Sequence, residues 1–428
     1  MLRRSVPLRR SAALFAALAI GSAAAAGCSS ADAPGRDGGS VPPPSASVSG
    51  PVPVTSVPAP GTASAPSVPG SSAATDPGSG PAPATPSAGP PSVPAAAASV
   101  DVRGTVTDGL ESPWGLAVLP GGDLLVSGRD DARILHVSAK DGTRTAAGTV
   151  PGVTPGGEGG LLGLALSPGF AADHRVYAYL STASDNRIVR LDYDPAAPAG
   201  ARLGEPVVLL AGIPHGPRHN GGRIAFGPDG LLYAGTGDAN DRSLSQNRDS
   251  LGGKILRLTP DGAAAPGNPF PGSPVWSLGH RNVQGLAWDP QGRLFASEFG
   301  QDTWDELNLI TPGGNYGWPT VEGTAGRPGF VDPLAQWHTA DASPSGIAYA
   351  SGAVWMAALG GARLWRVPLL GDRPAGAPQE FLAGAYGRLR TVTADRDGTL
   401  LVVTDNTDGR GDPRPGDDRI LRLTVTDR

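Results

Sequence analysis

A short strand of alternating polar and aliphatic residues recurs six times in this chain, and nothing else restricts its fold as much. The copies are Arg133-Ile134-Leu135-His136-Val137, Arg187-Ile188-Val189-Arg190-Leu191, Lys254-Ile255-Leu256-Arg257-Leu258, Glu306-Leu307-Asn308-Leu309-Ile310, Arg363-Leu364-Trp365-Arg366-Val367 and Arg419-Ile420-Leu421-Arg422-Leu423, at steps of 52 to 67 residues. Ahead of each lies a turn and an apolar run. Four are clear: Pro120 to Val126, Pro228 to Tyr233, Pro290 to Phe295 and Arg396 to Val402. Two are looser: Asp173 to Tyr179 and Ser351 to Met356. Period-two alternation puts charge on one face and aliphatic groups on the other, so the charges are expected to point outward. Asp-Gly and Gly-Gly between strand runs are hairpin chemistry, because glycine tolerates positive φ. No stretch beyond residue 100 shows sustained helical periodicity. Six such units arranged radially make an all-β, six-bladed β-propeller of four-stranded antiparallel blades over residues 101–428. A sandwich offers no reason for a six-fold period, and a propeller can share so large a core among its blades.

Upstream of the repeats the composition changes. Arg3, Arg4, Arg9 and Arg10 precede an apolar run from Ser11 to Ala26, shorter than the roughly 20 residues a membrane-spanning helix needs, and the run ends in Ala25-Ala26-Gly27-Cys28. Small residues leading into a cysteine form the pattern of a bacterial lipoprotein signal. Residues 1–28 are therefore expected to be a signal peptide with Cys28 lipidated; an ordinary secretory signal cut nearby is the alternative. The Arg9-Arg10 pair leaves the twin-arginine route open. Cys28 is the single cysteine, so no intrachain disulfide can form. Residues 29–100 are almost entirely Ser, Ala, Pro, Gly, Val and Thr, with no aromatic residue between Phe15 and Trp114. Such a segment cannot bury enough apolar area to offset its chain entropy. It reads as a proline-stiffened tether reaching about 3.1 Å per residue where extended. The expected location is the outer face of a membrane, with membrane contact through the N-terminal lipid only. A net charge of −5 without a basic stripe points away from nucleic acid as a partner.

The chain lacks HExxH, paired CxxC, a phosphate-cradling Gly-Lys-Ser loop and a Gly-x-Ser-x-Gly elbow, so zinc protease, NTPase and α/β-hydrolase chemistries have no support. Polar and glycine-rich loops stand between the repeat strands instead. Gly156 to Gly163 is glycine-dense around Glu158, which suits close backbone approach to a flat ligand or plain turn chemistry. His219 lies in His215 to Arg223; imidazole is the natural general base near neutral pH, and a lone histidine is often structural. Gly237-Asp238-Ala239-Asn240-Asp241 reads as a metal-binding or solvated hairpin tip, without EF-hand spacing. Ser277 to Gly285, Glu298 to Gln301 and Gly313 to Pro319 concentrate an arginine, amides, a histidine and aromatics in loops. Arg388 and Arg390, two apart on an extended segment, point to one side. They form either an exposed basic edge or a fork for a carboxylate-rich ligand.

Together these loops resemble the soluble quinoprotein sugar dehydrogenases of the glucose and aldose sugar dehydrogenase kind. The resemblance covers residues 101–428. It is carried most specifically by Gly279-His280-Arg281-Asn282-Val283-Gln284-Gly285-Leu286-Ala287-Trp288 and Gly313 to Pro319, with Gly159 to Leu164 and His219 through Asp238. It implies a six-bladed propeller using pyrroloquinoline quinone (PQQ) and Ca2+ to oxidise aldose sugars at the anomeric carbon to lactones, with electrons passed to an external acceptor. By this resemblance His219 is the catalytic base. Arg281 and Asn282 contact the quinone and stabilise charge on its reacting oxygen, and Arg388 and Arg390 grip PQQ. The Gly300 and Gln301 carbonyls face the active-site Ca2+. Glu158 and Trp337 line the substrate side, and Asp305, Glu306 and Tyr316 lie where a structural Ca2+ binds. The chain departs from the family pattern at Gly360, in Ala358-Leu359-Gly360-Gly361, where a PQQ-binding lysine is usual. A lost charge-assisted contact of this kind costs about 1.5–3 kcal/mol. Two other readings follow: a non-catalytic propeller binding module without tight PQQ binding, or a Ca2+-dependent lactonase-like hydrolase, in which the arginine pair has no obvious role.

Overall fold

The computed structural model of the chain describes residues 97–427 apart from Arg396. Cys28, the expected signal peptide and nearly all of the expected tether lie outside the described residues. Six antiparallel sheets follow one another along the chain as the blades of a six-bladed β-propeller. Blade one is Pro113–Val118, Leu124–Gly128, Arg133–Val137 and Arg144–Thr149, each strand paired with the next. The recurring turn-and-strand of the sequence is strands two and three of each blade. The innermost strands of blades two to six are Leu161–Leu166, Ile224–Phe226, Val283–Trp288, Pro344–Ala350 and Leu389–Ala394. Blade five adds a two-residue strand, Arg373–Pro374, that pairs only with the end of its third strand.

Blade six is completed out of order. Its third strand, Ile420–Asp427, pairs antiparallel with Ala98–Thr107, the first strand of the described chain. That strand takes in residues 98–100, which composition assigns to the tether. Among the described residues helix is confined to one turn at Phe170–Asp173 and a 3-10 turn at Arg242–Leu244.

The clear turns share one geometry. In each, a glycine at positive φ (Gly122 94°, Gly230 74°, Gly292 79°, Gly398 80°) donates its N–H back to the carbonyl three residues earlier. Hydroxyl groups stitch neighbouring blades near the channel. Ser127 donates to the Leu162 carbonyl at 2.6 Å, Thr391 to that of Trp114 at 2.9 Å and Ser297 to that of Ser345 at 2.5 Å. Apolar clusters fill the spaces between blades, as where Trp114, Leu162, Tyr179 and Ile224 pack with Leu256.

The outward-charge expectation holds at Arg133, which is exposed beside buried Ile134. It fails at Lys254, Glu306 and Arg366, all buried; charges three apart on a strand, such as Arg363 and Arg366, face opposite sides. Lys254 is fully buried, and its Nζ donates to the carbonyls of Leu244 (2.7 Å), Ser245 (3.0 Å) and Gly252 (2.6 Å). A loop folded over the strand supplies the acceptors that water would otherwise provide. Glu306 is buried beneath the mouth loops described below.

Candidate active site

All six innermost strands begin at the same mouth of the central channel, so the residues just before and at their starts meet there although they are far apart in sequence. Trp114, Glu158, Gln284, Arg388 and Arg390 line a cavity of about 200 Å³ at this mouth, with Arg129 and Arg410 reaching in from loops. Arg388 and Arg390 do point the same way, as their spacing predicts. They are not an exposed edge: Arg390 is buried. Arg388 donates to Asp408 Oδ2 from Nη2 (2.7 Å), and Arg390 donates to Asp405 Oδ2 from Nε (2.6 Å) and to Gln284 Oε1 from Nη1 (2.9 Å). Burial, offset in part by Arg390, pushes the Asp405 carboxyl up to about 6.

His219 holds a left-handed φ of 57°. Its main-chain N–H donates to Glu158 Oε2 at 2.8 Å, and its ring Nδ1 lies 2.7 Å from Asp238 Oδ1. Asp238 is no solvated hairpin tip: it is buried, and it also accepts from Trp318 Nε1 (2.9 Å) and from the Asn240 N–H (2.8 Å). Burial pushes this carboxyl up, but the hydrogen bonds from His219 and Trp318 and the attraction of His219 hold it below its ordinary value. An ionised Asp238 keeps a proton on Nδ1 and so leaves Nε2 as the basic atom. Glu158 is likewise held low: burial opposes ionisation, but the His219 N–H and Arg410, whose Nη2 lies 2.9 Å from Glu158 Oε1, outweigh it.

Arg281 and Asn282 lie next to this pair. The Arg281 guanidinium donates to Gln301 Oε1 from Nη2 (3.0 Å) and to the Phe299 carbonyl (3.2 Å), and it lies 5.5 Å from the Trp318 ring centre. Asn282 Oδ1 accepts the Gly221 N–H at 2.9 Å. That bond fixes the amide orientation and leaves Nδ2 as a donor with no protein partner among the described residues.

Gly300 and Gln301 form the turn behind Arg281. Their N–H groups donate to Asp305 Oδ1 (2.9 Å) and Glu322 Oε1 (2.7 Å), and Glu322 Oε1 also receives the N–H groups of Asp302, Thr303 and Trp304. Neither the Gly300 nor the Gln301 carbonyl accepts a hydrogen bond among the described residues. Two carbonyl oxygens free of protein donors suit a hard, oxygen-loving cation such as Ca2+. No cluster of three His, Cys, Asp or Glu side chains is poised for a metal among the described residues.

Of Asp305, Glu306 and Tyr316, the last two line one small cavity with Glu298 and Gly300, while Asp305, next to Glu306 on the strand, faces the other side. Asp305 accepts the Gly300 and Ser343 N–H groups, and burial pushes it up to about 6. Glu306 accepts the Gly323 N–H (2.7 Å) and Asn308 Nδ2 (3.0 Å); burial and then nearby Glu298 push it up to about 8. The Tyr316 hydroxyl donates to the Leu309 carbonyl (2.7 Å) and accepts the Thr311 N–H (2.9 Å). Each side chain is engaged in holding loops. Trp337 is also elsewhere. It lies on the outermost strand of blade four, opposite Asp305, and packs on Trp365 in the core between blades four and five.

Several residues of the mouth escape a linear reading. Gln284 stands within a quoted run yet has no role there, and Asp238 is read without its partner His219. Trp114, Arg129, Asp405, Asp408 and Arg410 are single polar or aromatic residues that only ring closure assembles. At Gly360 a Cβ would lie 2.5 Å from Ser343 Oγ, so the loop is packed around glycine. Arg129 and Arg410 nevertheless add two cations to the pocket beside neighbouring Leu359. The donor set therefore suits a flat polycarboxylate such as PQQ.

Residues 110–421 match the family model described as glucose / sorbosone dehydrogenase. Among solved structures, the PQQ-bound form of aldose sugar dehydrogenase from Streptomyces coelicolor is 66% identical, covers 78% of this chain and 100% of that one, and superposes with a TM-score of 0.77. Aldose sugar dehydrogenase YliI of Escherichia coli is 29% identical over 346 residues, 74% of this chain and 92% of that protein. Quinoprotein glucose dehydrogenase B of Acinetobacter calcoaceticus is 33% identical over 262 residues, 53% of this chain and 54% of that protein.

Proposed function

This chain belongs to the glucose / sorbosone dehydrogenase family, whose PQQ-dependent sugar dehydrogenases are oxidoreductases, and on that footing we propose that it oxidises aldoses at the anomeric carbon to lactones, using PQQ and Ca2+ and passing the electrons to an external acceptor. The observation that carries the proposal is the arginine-lined pocket beside the His219–Asp238 pair. When bound, the quinone supplies an electrophilic carbonyl that takes the anomeric hydrogen with its electron pair, and Ca2+ polarises that carbonyl.

The chain's own residues do the rest. His219 Nε2 takes the proton of the anomeric hydroxyl, and Asp238 on Nδ1 stabilises the imidazolium that forms. Glu158 lines the pocket and holds His219 through its main-chain N–H, which supports assigning it to the substrate side. Asn282 Nδ2 and the Arg281 guanidinium are the donors available to developing negative charge. Arg388, Arg390, Arg129 and Arg410 hold carboxylates, and the carbonyls of Gly300 and Gln301 hold Ca2+. The substrate-side role of Trp337 is not carried forward; for the structural Ca2+, the part retained is Glu306 and Tyr316, which share a cavity with Gly300 and Glu298.

Protein loaded with PQQ and Ca2+ is expected to reduce a redox dye when given aldoses, and His219→Ala to abolish it; full dye reduction by that variant refutes the base assignment. Calorimetry of the apo-protein with PQQ and Ca2+ tests the pocket separately. Absence of both heat and a bound-quinone spectrum leaves the binding-module reading that Gly360 motivates. We also propose that the enzyme is exported and anchored on the outer face of the membrane through lipidated Cys28. Palmitate labelling that persists in Cys28→Ser refutes this.

A further inference from the structure

The innermost strands run from the quinone pocket to a second opening of the central channel. Their early residues, such as Trp114, Gln284 and Arg390, face the pocket already described. Later ones, among them Leu116, Leu164, Leu286, Ile347 and Val392, wall a separate cavity of about 320 Å³ at the other end. Arg223 is the one titratable side chain lining that cavity among the described residues.

Arg223 is only 8% exposed. Its Nε donates to the Gln284 carbonyl (2.8 Å), its Nη2 donates to Thr391 Oγ1 (3.0 Å), and the guanidinium lies 4.3 Å from the Trp114 ring centre. No described carboxylate forms an ion pair with it, and Nη1 has no protein acceptor. Neighbouring Arg390 and Arg388 are better matched: Arg390 pairs with Asp405, and Arg388 with Asp408. Burial, and then neighbouring Arg390, push Arg223 down to about 9. A buried cation without a counter-charge is among the more costly arrangements in a fold. An anion at Nη1 relieves that cost.

We propose that this rear cavity is a second ligand site, for a monocarboxylate held at its carboxylate by Arg223, in a cavity lined largely by the main-chain edges of the innermost strands. One cation matches one negative charge, whereas a dianion would leave its second charge without a counter-ion. A planar carboxylate suits the guanidinium. Each innermost strand is paired on one side only, so its free edge adds main-chain N–H donors beside Arg223. The site is separated from the quinone pocket by Trp114, Gln284 and Thr391, and it does not depend on the proposed redox chemistry.

The test is calorimetric titration of sodium octanoate into the full chain loaded with PQQ and Ca2+, which occupies the front arginines. One-to-one binding is expected, and it requires the carboxylate, so octanol is silent. Arg223→Gln is expected to weaken octanoate by about tenfold or more, the loss of one charge-assisted contact. Thr393→Phe, which fills the cavity and leaves Arg223 in place, is expected to abolish binding. No saturable octanoate binding by the unmodified chain, or unchanged binding in Thr393→Phe, overturns the proposal; the second variant decides if the first does not fold. Should PQQ itself not bind, the same titration is run on apo Arg388→Gln. Octanoate binding that survives there and is lost on adding Thr393→Phe supports the rear site independently of the quinone.

Discussion

Replacing Asp238 by asparagine isolates the link between the proposed base and the carboxylate that orients it. Asp238 accepts three hydrogen bonds: Oδ1 takes His219 Nδ1 and the Asn240 N–H, and Oδ2 takes Trp318 Nε1. An asparagine fits the space but must turn its NH2 toward one of these donors. Facing Trp318 sets one donor against another; facing His219 sets two. The amide therefore keeps its oxygen on His219, and the histidine loses a charge-assisted bond rather than all contact. That bond is worth about 1.5–3 kcal/mol, so kcat should fall roughly 10- to 150-fold with little change in KM. The assay is steady-state dye reduction by the PQQ-loaded variant across pH. Unchanged kcat refutes the view that Asp238 acts through His219. The linkage sign is also fixed. The native Asp238 carboxyl lies below its ordinary value of 3.8, so its stabilisation is fully present above 3.8 and is lost as pH falls through the lower native value. The stability gap between the native chain and Asp238→Asn should therefore shrink on acidification below that point, as read from urea midpoints.

Other perturbations separate binding from scaffold. Arg129→Gln should weaken PQQ binding about 10- to 100-fold by calorimetry if this arginine offsets the absent lysine at Gly360; unchanged affinity leaves it only its ion pair with Asp130, whose Oδ1 lies 2.7 Å from Arg129 Nε. Gly300→Ala places a Cβ 1.9 Å from the Trp304 carbonyl oxygen, so the turn must open; loss of Ca2+-dependent stabilisation in thermal melts is expected, and an unchanged Ca2+ response refutes the carbonyl assignment. Lys254→Met strips the donor from three carbonyls and should lower stability by about 3 kcal/mol or more, read as a reduced urea midpoint.

The propeller was legible because its second and third strands carry an alternating pattern and a glycine turn that the chain must repeat to build each blade. The innermost strands left little trace. Pro113-Trp114-Gly115-Leu116-Ala117-Val118 is buried on both faces over most of its length, so it shows no alternation to detect. The site divides in the same way. Arg281, Asn282, His219, Arg388 and Arg390 sit in compact local runs and could be picked out as such. Gln284, Asp238, Arg129 and Arg410 draw their roles from partners in other blades. Trp337 shows the converse error: a conspicuous aromatic near the right loops, set by strand register on the outer edge of blade four. Lys254 shows how a period-two pattern misleads when a loop folds back over one of its outward positions.

The seam of blade six sets the order in which the ring can close. Ala98–Thr107 is the first of the described strands to be synthesised, and its partner Ile420–Asp427 is the last; a side-chain hydrogen bond across the seam joins positions 321 residues apart. Until that partner emerges, the first strand has no edge to pair with, and blades one and six have no neighbour to close against. Closing so long a loop is entropically slow, but it rewards the whole circle at once. Truncation at either end should therefore weaken all six blades together instead of fraying one, which ties the integrity of a pocket built from every blade to two strands that contribute no side chain to it.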